Sequence, residues 1–189
     1  QKLHQQLEES RQRVGKGGPG FRKMMEEMVD PAMRKKSTDE LIEMVKDPDI
    51  EVFTRGEAVD ALQLRQADAD KVVPLLVDLI TGNEDFLASN AISALGEFGP
   101  AAAAALPALF EKLKQISEEP GADDTRPTLD YMDRLNMAMA IGDIGPTAAP
   151  FLAEKLDDEV AEIRELAANA LDSMKQVPSD IVPQLTKAL

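Results

Sequence analysis

The residue types that most often carry out catalysis or bind metals are scarce in this chain. It contains one histidine, His4, and no cysteine. A nucleophilic triad needs a histidine base beside a serine or a cysteine, and thiolate metal sites and disulfides need cysteine. Because His4 lies in a polar stretch close to the start of the chain, we predict no catalytic residues, no metal site and no cofactor.

Pairs of aspartates are the remaining candidates for cation ligands. A calcium loop of the EF-hand type needs ligands at alternating positions, a glycine at the turn and a closing glutamate, and none of the pairs has this pattern. Acidic side chains are also favoured near helix N-termini, where the helix dipole stabilises negative charge. We therefore interpret them as residues at helix ends: Asp47/Asp49, Asp68/Asp70, Asp123/Asp124 and Asp157/Asp158.

The charge of the chain is large and unevenly distributed. The formal net charge is −14, yet residues 1–36 contain nine Lys and Arg against five acids, and the remainder contains twelve against thirty. A basic arm thus precedes a body of charge −18. Such a body repels nucleic-acid phosphates and anionic lipid, so we expect no nucleic acid on it. No apolar run approaches the roughly 20 residues that span a bilayer, which predicts no transmembrane segment.

The first 36 residues divide into two segments. Residues 1–20 are polar and end in a glycine-rich stretch, which predicts a basic, flexible N-terminal arm and linker. Residues 21–36 predict a methionine-rich helix that caps the rest of the fold, with four methionines: Met24, Met25, Met28 and Met33. Ser37 and Glu40 have the spacing of a capping box, which indicates that a new helix begins there.

From residue 37 onward the chain repeats itself. Ala-x-x-Ala-Leu recurs at residues 58–62, 91–95 and 167–171, and residues 137–141 fit the same register. A proline follows each motif, and proline is favoured in the first turn of a helix, so each should begin a second helix: Pro74, Pro107, Pro150 and Pro183. The second and sixth positions after each proline are apolar and should face the core: Leu76/Ile80, Leu109/Leu113, Leu152/Leu156 and Leu185/Leu189.

These patterns predict a stack of helical hairpins, each of which buries its apolar face against its neighbours. The predicted array spans residues 37–189, with units near 37–80, 81–116, 127–156 and 157–189. The larger spacing between the second and third prolines predicts an acidic insert at 115–129.

The stretch Leu95–Pro107, repeated in shorter form at 141–146, resembles the HEAT-repeat consensus, in particular the variety seen in phycobilisome-lyase-like bacterial proteins. The resemblance covers roughly residues 38–189. It implies an all-α fold: a right-handed α-solenoid of about four HEAT-like hairpins with an N-terminal helical cap. Arg55, Arg134 and Arg164 stand at the family's arginine position, which implies structural contacts between repeats. Unit two departs from the pattern, with Ala88 at that position.

In HEAT solenoids the second helices usually line the concave surface. The fourth position after each proline lies between the two core positions and should face outward: Asp78, Glu111, Glu154 and Lys187. Three acids in register would attract a basic partner. We therefore predict a non-catalytic scaffold that binds another protein, one with a basic segment, through an acidic concave face.

Two alternatives remain open. The chain could be a lyase-type or accessory subunit of an enzyme complex resembling the phycobilin lyases, for which a deep apolar pocket would be evidence. It could also be one piece of a longer solenoid. Two other HEAT-type enzymes fit poorly: deoxyhypusine hydroxylase uses His-Glu pairs, which are absent, and alkylpurine DNA glycosylases use a basic face.

The compartment is not identified by the sequence. No signal peptide is visible, which favours the cytoplasm. Because the first residue is Gln1 rather than methionine, an exported or membrane-anchored form is the alternative, in which an N-terminal segment has been removed.

Overall fold

The computed structural model describes residue 23, residues 26–118 and residues 131–174. These residues are mostly helical and contain no β-strand. The prediction of an all-α protein is therefore confirmed for this part of the chain. Alanine and leucine are the commonest residues of the helices, and both have high helix propensity.

Nine α-helices are described, and we number them in chain order. Their bounds are α1 Pro31–Arg34, α2 Thr38–Lys46, α3 Val52–Leu62, α4 Ala69–Thr81, α5 Asp85–Leu95, α6 Leu106–Glu118, α7 Tyr131–Ile144, α8 Ala149–Lys155 and α9 Ala161–Ser173. Three 3-10 segments connect some of them: Gln66–Asp68, Gly96–Ala105 and Gly145–Ala148.

The capping box at the start of α2 is confirmed. The backbone N–H of Glu40 donates to Oγ of Ser37 at 3.2 Å, and the backbone N–H of Ser37 donates to Oε2 of Glu40 at 2.7 Å. The second bond stabilises the carboxylate and lowers the pKa of Glu40. This reciprocal pair satisfies two N–H groups that the first turn leaves without helical partners.

The prolines do not all occupy the predicted position. Pro107 and Pro150 lie in the first turn of α6 and α8, as predicted. Pro74 instead lies inside α4, which begins five residues earlier at Ala69. The turn before Pro74 packs on the core through Val72 and Val73, which are buried. Pro74 is exposed, so the carbonyl that loses its helical hydrogen bond faces the solvent side.

The helices pack in two neighbouring rows. In one row, α3 contacts α5, α5 contacts α7 and α7 contacts α9; in the other, α2 contacts α4 and α4 contacts α6. The rings of Phe110 on α6 and Phe151 on α8 are 5.3 Å apart in an edge-to-face arrangement, which joins α8 to the second row. The rows are connected by the packing of α2 on α3, α4 on α5 and α8 on α9.

The core lies between the rows and contains the predicted residues. Leu76, Leu109 and Leu152 have no exposed surface. The alanines of the recurring motif are buried as well, and their small side chains let the helices of the first row approach closely. Leu156 also packs against the core, but it is only half-buried. The helix α8 ends one residue before it, at Lys155.

Residues 85–115 are long and apolar enough to cross a membrane, with a mean hydropathy of 1.3 in their most apolar window. This is weak evidence for a membrane span, because core helices meet the same criteria and 44% of this window is buried. The helical path also bends at Gly99, whose φ of +51° lies in the region that favours glycine. Residues 85–115 therefore supply core surface on both sides of a bend.

The methionine-rich segment is only partly described. Residues 26–28 are helical, and Asp30 then caps the separate one-turn helix α1 by accepting from the N–H of Ala32 at 2.6 Å. Val29 and Met33 are buried, and α1 packs on α3, whereas Met28 is 73% exposed. Outside the described residues lie residues 1–22, Met24, Met25, residues 119–129 of the predicted insert and residues 175–189, so the segment bounds stay predictions.

Candidate protein-interaction surface

Three predicted carboxylates lie on three successive helices of the second row. Asp78 on α4, Glu111 on α6 and Glu154 on α8 are all exposed. The contacts of α4 with α6, and of Phe110 with Phe151, make these helices neighbours. Lys187, the fourth predicted member, lies outside the described residues. We call Asp78, Glu111 and Glu154 the acidic row.

Three lysines on the helices of the acidic row are bound to other acids. Nζ of Lys71 lies 2.8 Å from Asp39, Nζ of Lys112 lies 3.6 Å from Asp85, and Nζ of Lys155 lies 3.1 Å from Asp158. The ion pair with Asp39 raises the pKa of Lys71. Nζ of Lys112 also donates to the carbonyl of Gly82 at 3.2 Å.

In contrast, no Lys or Arg among the described residues lies within ion-pair distance of the acidic row. Its three charges are not neutralised by any described neighbour. They therefore project a negative field from this side of the molecule.

Arg55 makes the inter-helix contacts expected of it. The guanidinium is buried; its Nε donates to the carbonyl of Val45 at 2.8 Å, and its two Nη atoms donate to the carboxylate of Glu84 at 2.6 and 2.8 Å. Val45 is in α2 and Glu84 immediately precedes α5. One side chain on α3 thus joins three helices through a two-pronged ion pair, the strongest geometry for this pair of groups.

The other two arginines are placed differently from Arg55. Nη1 of Arg164 donates to the carbonyls of Asp158 and Glu159 at 2.9 and 3.0 Å. These carbonyls belong to the turn that precedes α9, so the bonds fasten a turn within one predicted unit and do not join two repeats. Arg134 is half-buried and borders a shallow cleft between α6, α7 and α9. Ala88, at the equivalent place on α5, is fully buried.

The cleft beside Arg134 mixes charged and apolar side chains. Its lining includes Leu113 of α6, Leu135 of α7, and Glu162 and Glu165 of α9. Neither histidine nor cysteine borders it. Among the described residues, no three His, Cys, Asp or Glu side chains are grouped so as to hold a metal ion. The cleft therefore offers a salt-bridging surface rather than a nucleophile or a ligand set.

An exposed aromatic pair was missed by the sequence prediction. Phe53 on α3 and Phe86 on α5 are 62% and 40% exposed, and their rings meet edge to face with centroids 5.0 Å apart. The sequence does contain a signal from which this pair could have been predicted. Each phenylalanine stands five residues before the first alanine of its Ala-x-x-Ala-Leu motif, so the repeat register places both on the same side of neighbouring helices.

A hydrogen bond between helices lies beside the aromatic pair. Nδ2 of Asn90 on α5 donates to Oδ1 of Asp60 on α3 at 3.3 Å. Burial raises the pKa of Asp60, and the charge of Glu57 acts in the same direction, while the bond from Asn90 opposes them. The ionised carboxylate of Asp60 is therefore less favourable in the folded protein than in the unfolded chain.

Removing this charge is expected to stabilise the protein at neutral pH. Because the folded pKa of Asp60 is raised, its contribution to stability is fully present below the unfolded value of 3.8 and is lost as the pH rises through the folded value. Asp60→Asn should therefore have a higher free energy of unfolding than the wild type at pH 7, and the difference should shrink as the pH falls towards 3.8. Urea unfolding of the wild type and of Asp60→Asn at several pH values measures this difference in the free energy of unfolding.

Asp78→Asn, a change at an exposed aspartate of the acidic row, supplies the control for altered net charge. An Asp60→Asn difference that stays constant with pH, or grows on acidification, would contradict the interpretation.

Comparison with family models, with curated proteins and with solved structures finds no match to this chain. The class that the structure itself defines is an all-α protein whose described helices pack in two neighbouring rows.

Proposed function

We propose that this protein is a non-catalytic protein-interaction scaffold that binds a basic segment of another protein through the acidic row. The scaffold is a right-handed α-solenoid of about four HEAT-like hairpins, and the acidic row lies on its concave face. The structure establishes an all-α fold for the described residues, and the solenoid and the binding role are what we propose in addition. Two observations support them: the order in which the helices contact one another, and the charges of the acidic row.

The helix contacts support the solenoid. Each helix of the first row touches the next helix of that row along the chain, from α3 to α9. A hairpin stack produces such contacts, because each unit buries its apolar face against the units before and after it. The equal burial of Leu76, Leu109 and Leu152 supports a common register for three hairpins. Arg55 adds a polar connection between consecutive hairpins through Glu84.

The observation that carries the binding proposal is the lack of cations around the acidic row. Three lysines of the second row, Lys71, Lys112 and Lys155, are already held by Asp39, Asp85 and Asp158, and Lys114 acts on Asp158. The field of the three free carboxylates is therefore left for a partner. Exposed charges at a binding surface act mainly on the association rate and on the salt dependence of binding. A partner with several Lys or Arg residues in an extended or helical segment fits this surface.

Reversing the three charges is expected to weaken binding of a basic peptide. The probe is a fluorescently labelled Lys/Arg-rich peptide, and its binding is followed by fluorescence anisotropy at several salt concentrations. For Asp78→Lys/Glu111→Lys/Glu154→Lys we expect a Kd at low salt at least roughly tenfold weaker than that of the wild type, with a flatter salt dependence.

A matched variant separates the acidic row from net charge. Glu43→Lys/Glu165→Lys/Asp172→Lys has the same charge change at three exposed positions on α2 and α9. It should retain most of the wild-type affinity, and circular dichroism should show that both variants remain helical. Equal losses in the two variants would mean that the peptide responds only to total charge, and the proposal would fail.

A further inference from the structure

A second surface, on the first row of helices, combines exposed aromatic rings with a dense negative charge. It is centred on Phe53 and Phe86, whose rings are in contact and which are 62% and 40% exposed. Exposed aromatic side chains that are held in place are typical of the few residues that dominate binding energy at interfaces. We call Phe53, Phe86 and the adjacent Glu57 and Asp60 the aromatic patch.

Gly56 holds Phe86 in its position. A Cβ atom at residue 56 would lie 2.7 Å from Cε1 of Phe86 and 3.2 Å from Nδ2 of Asn90. The absence of a side chain thus lets the ring lie against the backbone of α3, where it also supports Phe53. Glycine inside a helix is less favourable than alanine, and here it leaves room for the ring of Phe86. A side chain that is held in place before binding loses less entropy on binding.

The surroundings of the rings are strongly acidic. Residues 47–63 and 84–97 contain eight Asp and Glu against one base, Arg55. Arg55 pairs with Glu84, and Lys112 pairs with Asp85, so two of the eight acids are neutralised and the surface keeps a net negative charge. Glu57 and Asp60 follow Phe53 by four and seven residues along α3, a spacing that places all three on one face of the helix. Carboxylates therefore lie directly beside the rings.

The occupant of the aromatic patch must be basic and small. A second copy of this chain would bring another net charge of −14, and two exposed rings are far from the roughly 1,000 Å² that a stable interface between two proteins buries. An anionic membrane surface would be repelled by the same carboxylates. A short helix of a partner protein, with one large apolar side chain beside Lys or Arg, meets both requirements.

We propose that the aromatic patch is a second docking surface, which binds a basic amphipathic helix of a partner protein. The apolar anchor of the partner contacts the rings of Phe53 and Phe86. A Lys or Arg one helical turn away pairs with Glu57, and an Arg over either ring gains a cation–π contact. This surface belongs to the other row of helices from the acidic row, and it does not depend on the acidic row being a binding site.

The test uses a labelled synthetic peptide that forms an amphipathic helix, with Leu and Phe on one face and Lys and Arg on the other. Binding to the full chain is measured by fluorescence anisotropy. Phe53→Ala and Phe86→Ala should each weaken the Kd at least about tenfold. Gly56→Ala should also weaken it, although both rings remain in the chain, because the new Cβ displaces Phe86. Glu57→Lys should weaken binding and reduce its salt dependence.

Two control variants test whether the loss of peptide binding is specific to the aromatic patch. Leu135→Ala removes an equally exposed apolar side chain on α7, and it should leave the Kd unchanged. The triple reversal of the acidic row should leave most of the affinity for this peptide in place, so that the two surfaces can fail independently. Circular dichroism is expected to show wild-type helicity for Phe53→Ala, since that side chain is mostly exposed.

Several outcomes would overturn the proposal. One is an affinity that Phe53→Ala and Phe86→Ala leave unchanged, and another is a loss of similar size in Leu135→Ala. A wild-type dimer in sedimentation equilibrium that Phe53→Ala dissociates would identify a second copy as the occupant. Phe53-dependent binding to phosphatidylserine vesicles would identify a membrane surface.

Discussion

Arg55→Ala is expected to lower the free energy of unfolding by about 2–4 kcal/mol, far more than an average substitution in a helix. The guanidinium is buried and makes three short hydrogen bonds, one to the carbonyl of Val45 and two to the carboxylate of Glu84. Alanine removes all three and leaves a cavity where α2, α3 and α5 meet. The loss stays below that of a fully buried ion pair, because the side chain of Glu84 is 50% exposed and water can solvate it.

The measurement is equilibrium unfolding in urea, followed by circular dichroism, with Arg164→Ala as the matched control. Arg164 stands at the equivalent position of α9 but is exposed and bonds only to two carbonyls of the preceding turn. Its removal should cost less than about 1 kcal/mol. Similar values for the two variants would show that burial and the bond to Glu84 contribute little.

Glu84→Gln tests the same contact from the other side. It leaves the buried guanidinium in place and removes the charge that pairs with it, so we expect a loss smaller than that of Arg55→Ala but clearly measurable, about 1–2 kcal/mol. A Glu84→Gln protein as stable as the wild type would mean that the Val45 carbonyl alone is sufficient to hold Arg55.

The helical class and the core positions were predictable from the sequence because they follow from local rules. The capping box at Ser37 needs only two residues three positions apart, and the structure has both of its hydrogen bonds. The burial of Leu76, Leu109 and Leu152 follows from a fixed distance to a proline within one helix. Each of these features is decided within a turn or two of helix, where spacing in the sequence determines position in space.

Features that depend on contacts between helices were predicted less well. Pro74 was expected to begin α4, but that helix begins about a turn upstream, and Val72 and Val73 of this turn are buried against the core. Arg164 has the same place in the repeat as Arg55 and nevertheless bonds to its own turn. The difference between the two arginines arises from what lies opposite each of them. Opposite Arg55 there is a carboxylate, and spacing within the repeat does not reveal that neighbour.

At the candidate surfaces, too, features within one helix were predictable from the sequence, and contacts between helices were not. The exposure of Asp78, Glu111 and Glu154 follows from their place between two buried positions of one helix, and it was predicted. The contact of Phe53 with Phe86 depends on Gly56, which leaves room for a ring from the next helix. A glycine inside a helix signals close packing, but the sequence does not say which side chain takes the space.

Leu109→Ala is expected to have the other large effect, a loss of about 2–5 kcal/mol in the free energy of unfolding. Leu109 has no exposed surface and lies on α6, which packs on α4 and α9 and reaches α8 through Phe110 and Phe151. Alanine removes the apolar contacts of the side chain and leaves a cavity that these helices cannot fully close, because the neighbouring side chains are already close-packed.

The same substitution at Leu156 provides the contrast, and it tests the register on which the fold depends. Leu156 is half-buried just past the end of α8, so Leu156→Ala should cost less than about 2 kcal/mol. Leu76→Ala and Leu152→Ala should resemble Leu109→Ala, since all three leucines occupy equivalent, fully buried positions. If Leu156→Ala were as damaging as Leu109→Ala, Leu156 would contribute as much to the core as Ile80 and Leu113, which occupy the sixth position of the first two units and are buried. If Leu109→Ala cost less than about 1 kcal/mol, the second row of helices would not be packed through these leucines, and the hairpin register proposed for the solenoid would be wrong.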